Sequence, residues 1–252
     1  MAALTELVDY CDRLLDAASF QDYCPNGLQV EGRAAVNRIV SGVTASQALI
    51  EAALQQRADL ILVHHGFFWK GEDPCLTGMK RRRLGALLAN EVSLLAYHLP
   101  LDAHPQLGNN AQLARRLGVE EEGRFGDGRG PDLACYGSLP ESCSSAQLGE
   151  RIHAALGRKP QCIGGRAEPL RRIGWCTGAA QSYLEAAARL GLHAFISGEI
   201  SEPSVHIARE YGIDYFAAGH HATERYGVQA LGEHLAKEWA IEHTFIDIDN
   251  PV

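Results

Sequence analysis

The hydrophobic pattern of the chain starts as an amphipathic helix and continues as alternating strands and helices. Residues 4–18 carry apolar side chains at three- and four-residue intervals, which predicts the helix. The apolar run LILV at 60–63 has no polar alternation, and this is typical of a parallel strand covered on both faces. Further segments of the pattern predict a strand at 38–40, a helix at 46–56 and a strand at 93–97. The order of these elements predicts an α/β fold.

An internal repeat extends this pattern to the second part of the chain. Residues 37–65 align without a gap on residues 171–199, at a constant shift of 134, with seven identical pairs in 29 positions. Each copy is followed by a predicted strand and then by a histidine with a carboxylate four positions later. These pairs are His98 with Asp102 and His220 with Glu224. The repeat therefore predicts two pseudo-symmetric α/β halves.

A boundary between the halves is predicted in the stretch 118–131, which is rich in glycine and charged residues and is typical of a linker. We therefore expect a first α/β half at 1–125 and a second at 126–252. Ligands of open α/β sheets bind at the carboxyl ends of the strands. We expect any functional site at strand ends between the halves.

The charge balance and the cysteines restrict the class of protein. The 252 residues contain 23 Lys and Arg against 31 Asp and Glu, so the net charge of −8 argues against a protein that coats nucleic acid. The basic run KRRR at 80–83 predicts a solvated helix start in preference to a nucleic-acid contact, and a small anionic ligand is a further alternative there. There is no apolar run of about 20 residues, and the seven cysteines form no CxxC pair. We expect a cytoplasmic protein with no membrane or nucleic-acid partner.

Two adjacent histidines follow the predicted strand at 60–63. His64 and His65 lie where the carboxyl end of a parallel strand lines a ligand crevice. Neighbouring residues at a strand end project in different directions, so two imidazoles here can serve two neighbouring metal ions. In the alternative interpretation, one histidine caps the strand and the other faces solvent.

A second histidine cluster, GHHATE at 219–224, also follows a predicted strand and leads into a helix. On a helix, His220 and Glu224 lie on one face, because residues four apart are neighbours there. An imidazole with a carboxylate suits Zn, Mn, Fe or Ni, and a carboxylate has two oxygens with which to bridge two ions. The alternative is an exposed helix pair. We expect His221 to lie outside the ligand set or at the surface.

The segment HLPLDAHP at 98–105 supplies the third candidate group. Pro100 predicts a loop here in place of a regular helix. Asp102 is the better ligand, because a site for two divalent ions needs negative charge. His98 is either a ligand or a partner of a ligand, and His104 is a turn residue.

Six motifs resemble one family over nearly the whole chain. This is the GTP cyclohydrolase I type 2 homologue family, also called the Ngg-interacting-factor-three-like family of dinuclear-metal proteins, in its short bacterial form. The motifs are DYCPNGLQVEG (22–32), SGVTAS (41–46), HHGFFWKGE (64–72), HLPLDAHPQLGNNAQLA (98–114), WCTG (175–178) and GHHATERYG (219–227).

The resemblance implies a metal site and an assembly. Two divalent ions (Zn, Fe, Mn or Ni) bind at the matching positions, with Glu224 as the bridging ligand, and the chains form a toroidal homohexamer whose sites face an inner cavity. The larger relatives carry an inserted domain between the halves, where this chain has only the residues near 125–170. The matching ligand positions are His64, His65, Asp102, His220 and Glu224.

Other polar and aromatic residues in or near these motifs have open roles. Glu199 occupies the repeat position of His65 and is either part of the site or a surface residue at a strand end. We expect His206 in the core or beside the site. Phe67, Phe68 and Trp69 are suited to stacking on a heterocyclic base, but packing is the favoured interpretation.

The leading functional hypothesis is metal-dependent hydrolysis of a nucleotide or a cyclic amide. Two neighbouring divalent ions lower the pKa of a shared water and polarise the bond that it attacks. The family name suggests opening of the purine ring of GTP, and we expect His98 to carry the proton. The alternative is a non-enzymatic metal carrier or storage protein, since the same ligands serve both functions. A purely structural metal is the weakest interpretation, because such sites are usually closed and rich in cysteine.

Overall fold

The computed structural model describes residues 1–126, 128, 131–164 and 169–252. These residues form two compact units. Unit 1 contains Met1–Gly108 and Gly227–Asp249, and unit 2 contains Asn109–Tyr226 and Asn250–Val252. The boundary predicted between residues 125 and 126 falls within unit 2. Residues 127, 129 and 130 of the predicted linker lie outside the described residues.

The described helices and strands alternate along most of the chain. Short 3₁₀ turns lie at Ala17–Ser19 and Gln181–Tyr183. The strands and helices are β1 (Ala2–Ala3), α1 (Leu4–Leu14), β2 (Gly27–Val30), β3 (Ala35–Val36), β4 (Arg38–Thr44), α2 (Gln47–Gln55), β5 (Leu60–His65), α3 (Gly78–Ala89), β6 (Ser93–Ala96), α4 (Leu99–Ala103), α5 (Asn109–Leu117), β7 (Glu120–Phe125), β8 (Ala134–Cys143), α6 (Ser145–Leu156), β9 (Gln161–Ile163), β10 (Leu170–Cys176), α7 (Leu184–Arg189), β11 (Ala194–Ser197), α8 (Glu202–Tyr211), β12 (Asp214–Ala217), α9 (His220–Trp239) and β13 (Glu242–Phe245).

Unit 1 is built on a five-stranded sheet with the order β13-β4-β5-β6-β2. The first four of these strands are parallel, and β2 is antiparallel to β6. Residues Leu60 to Val63 of β5 are fully buried, as the continuous apolar run predicts, because apolar side chains cover both faces of the sheet. The carboxyl end of β5 carries the two adjacent histidines of the sequence motif.

Unit 2 is built on a six-stranded sheet with the order β7-β8-β10-β11-β12-β9. The central strands β10, β11 and β12 are parallel, while β7, β8 and β9 run antiparallel to their neighbours. The core packs around Trp175, which is fully buried and donates its indole N–H to the carbonyl oxygen of Asn110 at 3.0 Å. The predicted α/β class is confirmed in both units.

The internal repeat of the sequence is also found in the pairing of the strands. Ile39 of β4 pairs with Leu60 of β5, and Ile173 of β10 pairs with Ala194 of β11. The second pair is the first one moved by 134 positions, which is the shift found in the sequence alignment. A third parallel strand then follows in each sheet, β6 in unit 1 and β12 in unit 2. The two copies therefore have the same arrangement of three parallel strands.

Two local predictions from the sequence are wrong. The described part of the predicted linker contains β7, which pairs with β8, so the chain has already joined the second sheet at Glu120. The predicted loop at 98–105 contains α4, in which Pro100 lies in the first turn. Proline is tolerated there, because the N–H that it lacks has no partner within the helix.

Within the described ranges, no helix combines the length and the hydrophobicity that crossing a bilayer requires.

Replacing Trp175 with alanine should destabilise the protein by about 3–5 kcal/mol, because it leaves a large cavity in the core of unit 2. The change also removes the donor to the Asn110 carbonyl. Urea denaturation followed by circular dichroism, at one fixed protein concentration, measures the difference. Leu190→Ala is the control, since that side chain is 45% exposed. Equal unfolding midpoints for the two variants would contradict the assigned core.

Candidate metal centre

In unit 1, the imidazoles at the end of β5 are oriented through their Nδ1 atoms. His64 is fully buried, and its Nδ1 lies 2.9 Å from the carbonyl oxygen of Tyr97. A carbonyl only accepts hydrogen bonds, so Nδ1 of His64 carries a proton and donates it to Tyr97. His65 forms its Nδ1 hydrogen bond with the hydroxyl of Thr44, at 3.1 Å. Both rings are therefore held in place through Nδ1.

The buried carboxylate of Asp102 lies beside these imidazoles. Its Oδ1 atom is 3.5 Å from Nε2 of His64, and the residue is only 8% exposed. Helix α4 holds it there, since the Asp102 N–H donates to the carbonyl oxygen of His98. His98 joins the same group: ligand nitrogens of His64, His65 and His98 lie within 4.8 Å of one another. Unit 1 thus gathers three imidazoles and one carboxylate.

His98 has a partner that the sequence reasoning missed. Oδ1 of Asp22 lies 2.7 Å from Nδ1 of His98, and the Asp22 side chain is only 2% exposed. Burial alone would raise the pKa of Asp22, but hydrogen bonds from His98, Asn26 and the Leu99 N–H, with the charge interaction with His98, lower it to about 2. The signal in the sequence is the turn motif DYCPNG, whose aspartate and asparagine both turn toward the start of α4.

In unit 2, one imidazole lies between two carboxylates. His220 is the first residue of α9, and its Nε2 is 3.1 Å from Oε2 of Glu224, one turn further along. Its Nδ1 is 2.7 Å from Oε1 of Glu199, which follows β11. Glu199 therefore belongs to the site, as the partner that orients His220. Gly178 gives Glu224 its space, because a Cβ atom there would lie 2.2 Å from Oε1 of the carboxylate.

The carboxylates control the charge of this imidazole. Burial lowers the pKa of His220, but the hydrogen bonds and charges of Glu224 and Glu199 outweigh it and raise the pKa to about 9. At neutral pH without metal, the ring carries a proton between two anions. A metal ion must displace that proton, because an imidazole ligates in its neutral form.

The donor set fits a divalent metal. Histidine ligands in proteins usually bind the metal through one nitrogen while the other is held by a carboxylate, a backbone carbonyl or another polar group. In His64, His65 and His220, Nδ1 is held in this way by a backbone carbonyl, a hydroxyl and a carboxylate. The buried carboxylates Asp102 and Glu224 add negative charge. Nitrogen and oxygen donors of this kind suit Zn, Fe, Mn or Ni.

The other histidines of the motifs lie outside these groups. His104 is the predicted turn residue, since its Nδ1 accepts the N–H groups of Gln106 and Leu107. The expectation for His206 is wrong: its side chain is 63% exposed and pairs with Glu202 on the surface of α8. His221 is buried, with 8% exposed, so it is not a surface residue.

The aromatic run and the basic run have separate roles. Phe67 packs in the core of unit 1, as the packing interpretation predicts. Trp69 stands edge-on to His98, with ring centroids 5.1 Å apart and planes at 85°. Phe68 is exposed, and Lys80 lies 5.2 Å above its ring. Arg81 and Arg82 are exposed at the start of α3, which agrees with a solvated helix start.

Known proteins resemble this chain over its whole length. The family model for Duf34/NIF3 (NGG1p interacting factor 3) matches residues 2–251. The GTP cyclohydrolase 1 type 2 homolog of Pseudomonas aeruginosa is 59% identical over 249 residues, covering 99% of this chain and 98% of that protein. The protein of the same name from Escherichia coli K12 is 51% identical and covers 98% of each chain.

Solved structures agree with the sequence relatives. A structure described as protein ybgI, of unknown function, has 50% identity and a TM-score of 0.96, with complete coverage of both chains. TTHA1606 from Thermus thermophilus has 32% identity and a TM-score of 0.87, also with complete coverage. The chain belongs to the Duf34/NIF3 family.

Proposed function

We propose that the chain is a metal protein that holds two divalent ions. The supporting observation is the arrangement of imidazoles held through Nδ1 beside the buried carboxylates Asp102 and Glu224. One dinuclear centre with Glu224 as the bridging ligand is what the family resemblance implies. The proposed ligands are His64, His65, Asp102, His220 and Glu224.

We further propose that the protein is a hydrolase that acts on a nucleotide, another small heterocycle or a cyclic amide. Two bound divalent ions supply Lewis acidity and a water of lowered pKa. The residues of the chain orient the ligands and move protons. His98 lies beside His64 and His65, and we assign it the role of a proton carrier through Nε2. The relatives' name, GTP cyclohydrolase 1 type 2 homolog, supports this reaction class.

A metal carrier or store is the second candidate, and one observation favours it. The proton that His220 holds between Glu199 and Glu224 offsets part of the charge of the two carboxylates when no metal is bound. The same groups can therefore hold either a proton or a metal ion as a positive partner. Such an exchange is what reversible loading requires.

The proposed assembly and location rest on other grounds. A toroidal homohexamer follows from the family resemblance. A cytoplasmic location is supported by the cysteines, which all lie in the described residues and form no disulfide.

Glu224→Ala should reduce the bound metal from about two ions per chain to less than one, because a bridging carboxylate serves both ions. The variant also leaves His220 with one carboxylate partner in place of two. Inductively coupled plasma mass spectrometry, on protein purified without added metal and again after loading with Zn²⁺, measures the content.

Glu202→Ala is the matched control, since Glu202 is an exposed carboxylate that pairs with His206. It should bind metal as the unmodified protein does. Loss of one ion only in Glu224→Ala would show a terminal ligand in place of a bridge. A metal-loaded unmodified protein with one ion or none would contradict the dinuclear site.

His98→Gln should keep most of the metal and lower the hydrolytic rate by about a hundredfold, the usual scale for losing a general acid or base. Turnover is measured on a panel of nucleotides and cyclic amides with zinc-, iron- and manganese-loaded protein. His206→Gln is the control, because His206 is exposed and pairs with the surface residue Glu202.

Parallel loss of metal and rate in His98→Gln would instead assign His98 to support of Asp102. No turnover by fully loaded protein, together with metal transfer to an apo-acceptor faster than to a chelator, would replace the hydrolase with the carrier.

The assembly has its own test. Light scattering at micromolar concentration should give six times the chain mass of 27.4 kDa. A mass of one chain under these conditions would contradict the hexamer.

A further inference from the structure

His98 lies between a carboxylate on one side and two candidate ligands on the other. Its Nδ1 is 2.7 Å from Oδ1 of Asp22, and its ring centroid is 5.0 Å from that of His64 and 5.7 Å from that of His65. The His98 side chain is 15% exposed, so the ring is largely shielded from water. Trp69 packs edge-on against the ring.

We propose that Asp22 is a positioning residue that holds His98 in the tautomer with its proton on Nδ1, so that Nε2 is the proton acceptor of the reaction. This inference rests on the proposed hydrolase function. An ionised carboxylate only accepts hydrogen bonds, so the 2.7 Å contact with Nδ1 requires the proton to be there. Nε2 then carries the lone pair on the side of the candidate ligands.

Asp22 is ionised and immobile because it accepts four N–H groups. Oδ1 accepts from His98 and from the backbone of Tyr23, while Oδ2 accepts from the backbone of Leu99 and from the amide of Asn26. Asn26 is itself fixed, since its Oδ1 accepts the backbone N–H of His98 at 2.7 Å. The turn at 22–26 and the start of α4 are therefore joined by one network around the imidazole.

The proton balance of the proposed step is simple. One O–H bond of the attacking water breaks, and the proton goes to Nε2 of His98, while the electron pair stays on the oxygen that attacks. The Nδ1 proton remains where it is, and the negative charge of Asp22 offsets the imidazolium that forms. The oxygen forms a bond with the substrate carbon, and the C–N bond breaks with its electron pair going to the nitrogen. The Nε2–H protonates that nitrogen, which returns the ring to its starting tautomer.

Asp22→Asn tests the tautomer because the network dictates how the new amide is oriented. The donors from Leu99 and Asn26 require an oxygen at the Oδ2 position. The NH₂ group must then face Nδ1 of His98, which has to accept, so the ring proton moves to Nε2. The Tyr23 N–H that loses its acceptor is exposed, and water replaces the carboxylate there.

The readout is the reaction of His98 with diethyl pyrocarbonate, which attacks an imidazole nitrogen that has a lone pair. Zn²⁺-loaded protein is treated at pH 7.5, and the rate at each histidine is followed by peptide mass spectrometry. His98 in Asp22→Asn should react at least about tenfold more slowly than in the unmodified protein, since Nε2 is then protonated and Nδ1 is covered by residue 22. The exposed His206 is the internal reference and should react equally in all variants.

Two more variants separate tautomer control from a structural role. Asp22→Ala removes every acceptor but offers no donor to Nδ1, so the tautomers mix, and the His98 rate should fall less than in Asp22→Asn. A purely structural role predicts the reverse order, because alanine damages the network more. Asp16→Asn is the matched control: it changes an exposed aspartate at the preceding turn, where φ is +50° and asparagine is tolerated, and it should leave the rate unchanged.

Three results would overturn the inference. The first is a His98 rate in Asp22→Asn equal to that of the unmodified protein, with normal metal content. The second is a slower His98 rate in the alanine variant than in the asparagine variant, or unfolding of both variants. The third is protection of His98 by Zn²⁺ in the unmodified protein, which would make Nε2 a metal ligand. The readout needs no turnover. If the His98 modification rates follow the predicted order but the protein hydrolyses nothing, the result counts against the hydrolase and leaves the role of Asp22 intact.

Discussion

A buried imidazole obliges the fold to supply a partner for each of its two nitrogens, and the candidate site depends on this obligation. Leaving a buried polar group without a partner costs about 1–3 kcal/mol. The fold meets the demand at Nδ1 of the buried His64 with a backbone carbonyl, and it holds the half-buried His65 and His220 with a hydroxyl and a carboxylate. Each of these contacts fixes the plane of a ring. The Nε2 atoms are therefore aimed before any ligand arrives.

The same requirement applied to charge explains why the site is compatible with folding without metal. Asp102 and Glu224 are buried carboxylates, and a buried charge needs a counter-charge. In unit 2 the counter-charge is the proton on His220, whose pKa of about 9 keeps it in place at neutral pH. A proton and a metal ion are thus alternative positive partners of the same carboxylates. A divalent ion that displaces the proton adds one positive charge and offsets the two carboxylates further.

The sequence predicted the frame and the candidate ligands better than it predicted what orients them. The strand ends of β5 and β12 could be found, because a continuous apolar run followed by polar residues has a local signature. Asp22 was missed, since 76 positions separate it from His98 and only the fold brings them together. The role of Glu199 stayed open for the same reason. The helix at α4 was missed because Pro100 was taken as a breaker, whereas its place in the first turn makes it harmless.

The repeat shows which parts of such a frame are free to vary. At a shift of 134 residues the two copies keep the same strand pairing, yet the same two positions hold His64 and His65, the last residues of β5, in one copy and Gly198 and Glu199, which follow β11, in the other. Hydrogen bonding between backbones sets the register and does not depend on which side chains stand at the strand end. A duplicated strand–helix–strand segment can therefore acquire different chemistry in its two copies without any cost to the architecture that both inherited. Here one copy supplies two imidazoles, and the other supplies the carboxylate that orients His220.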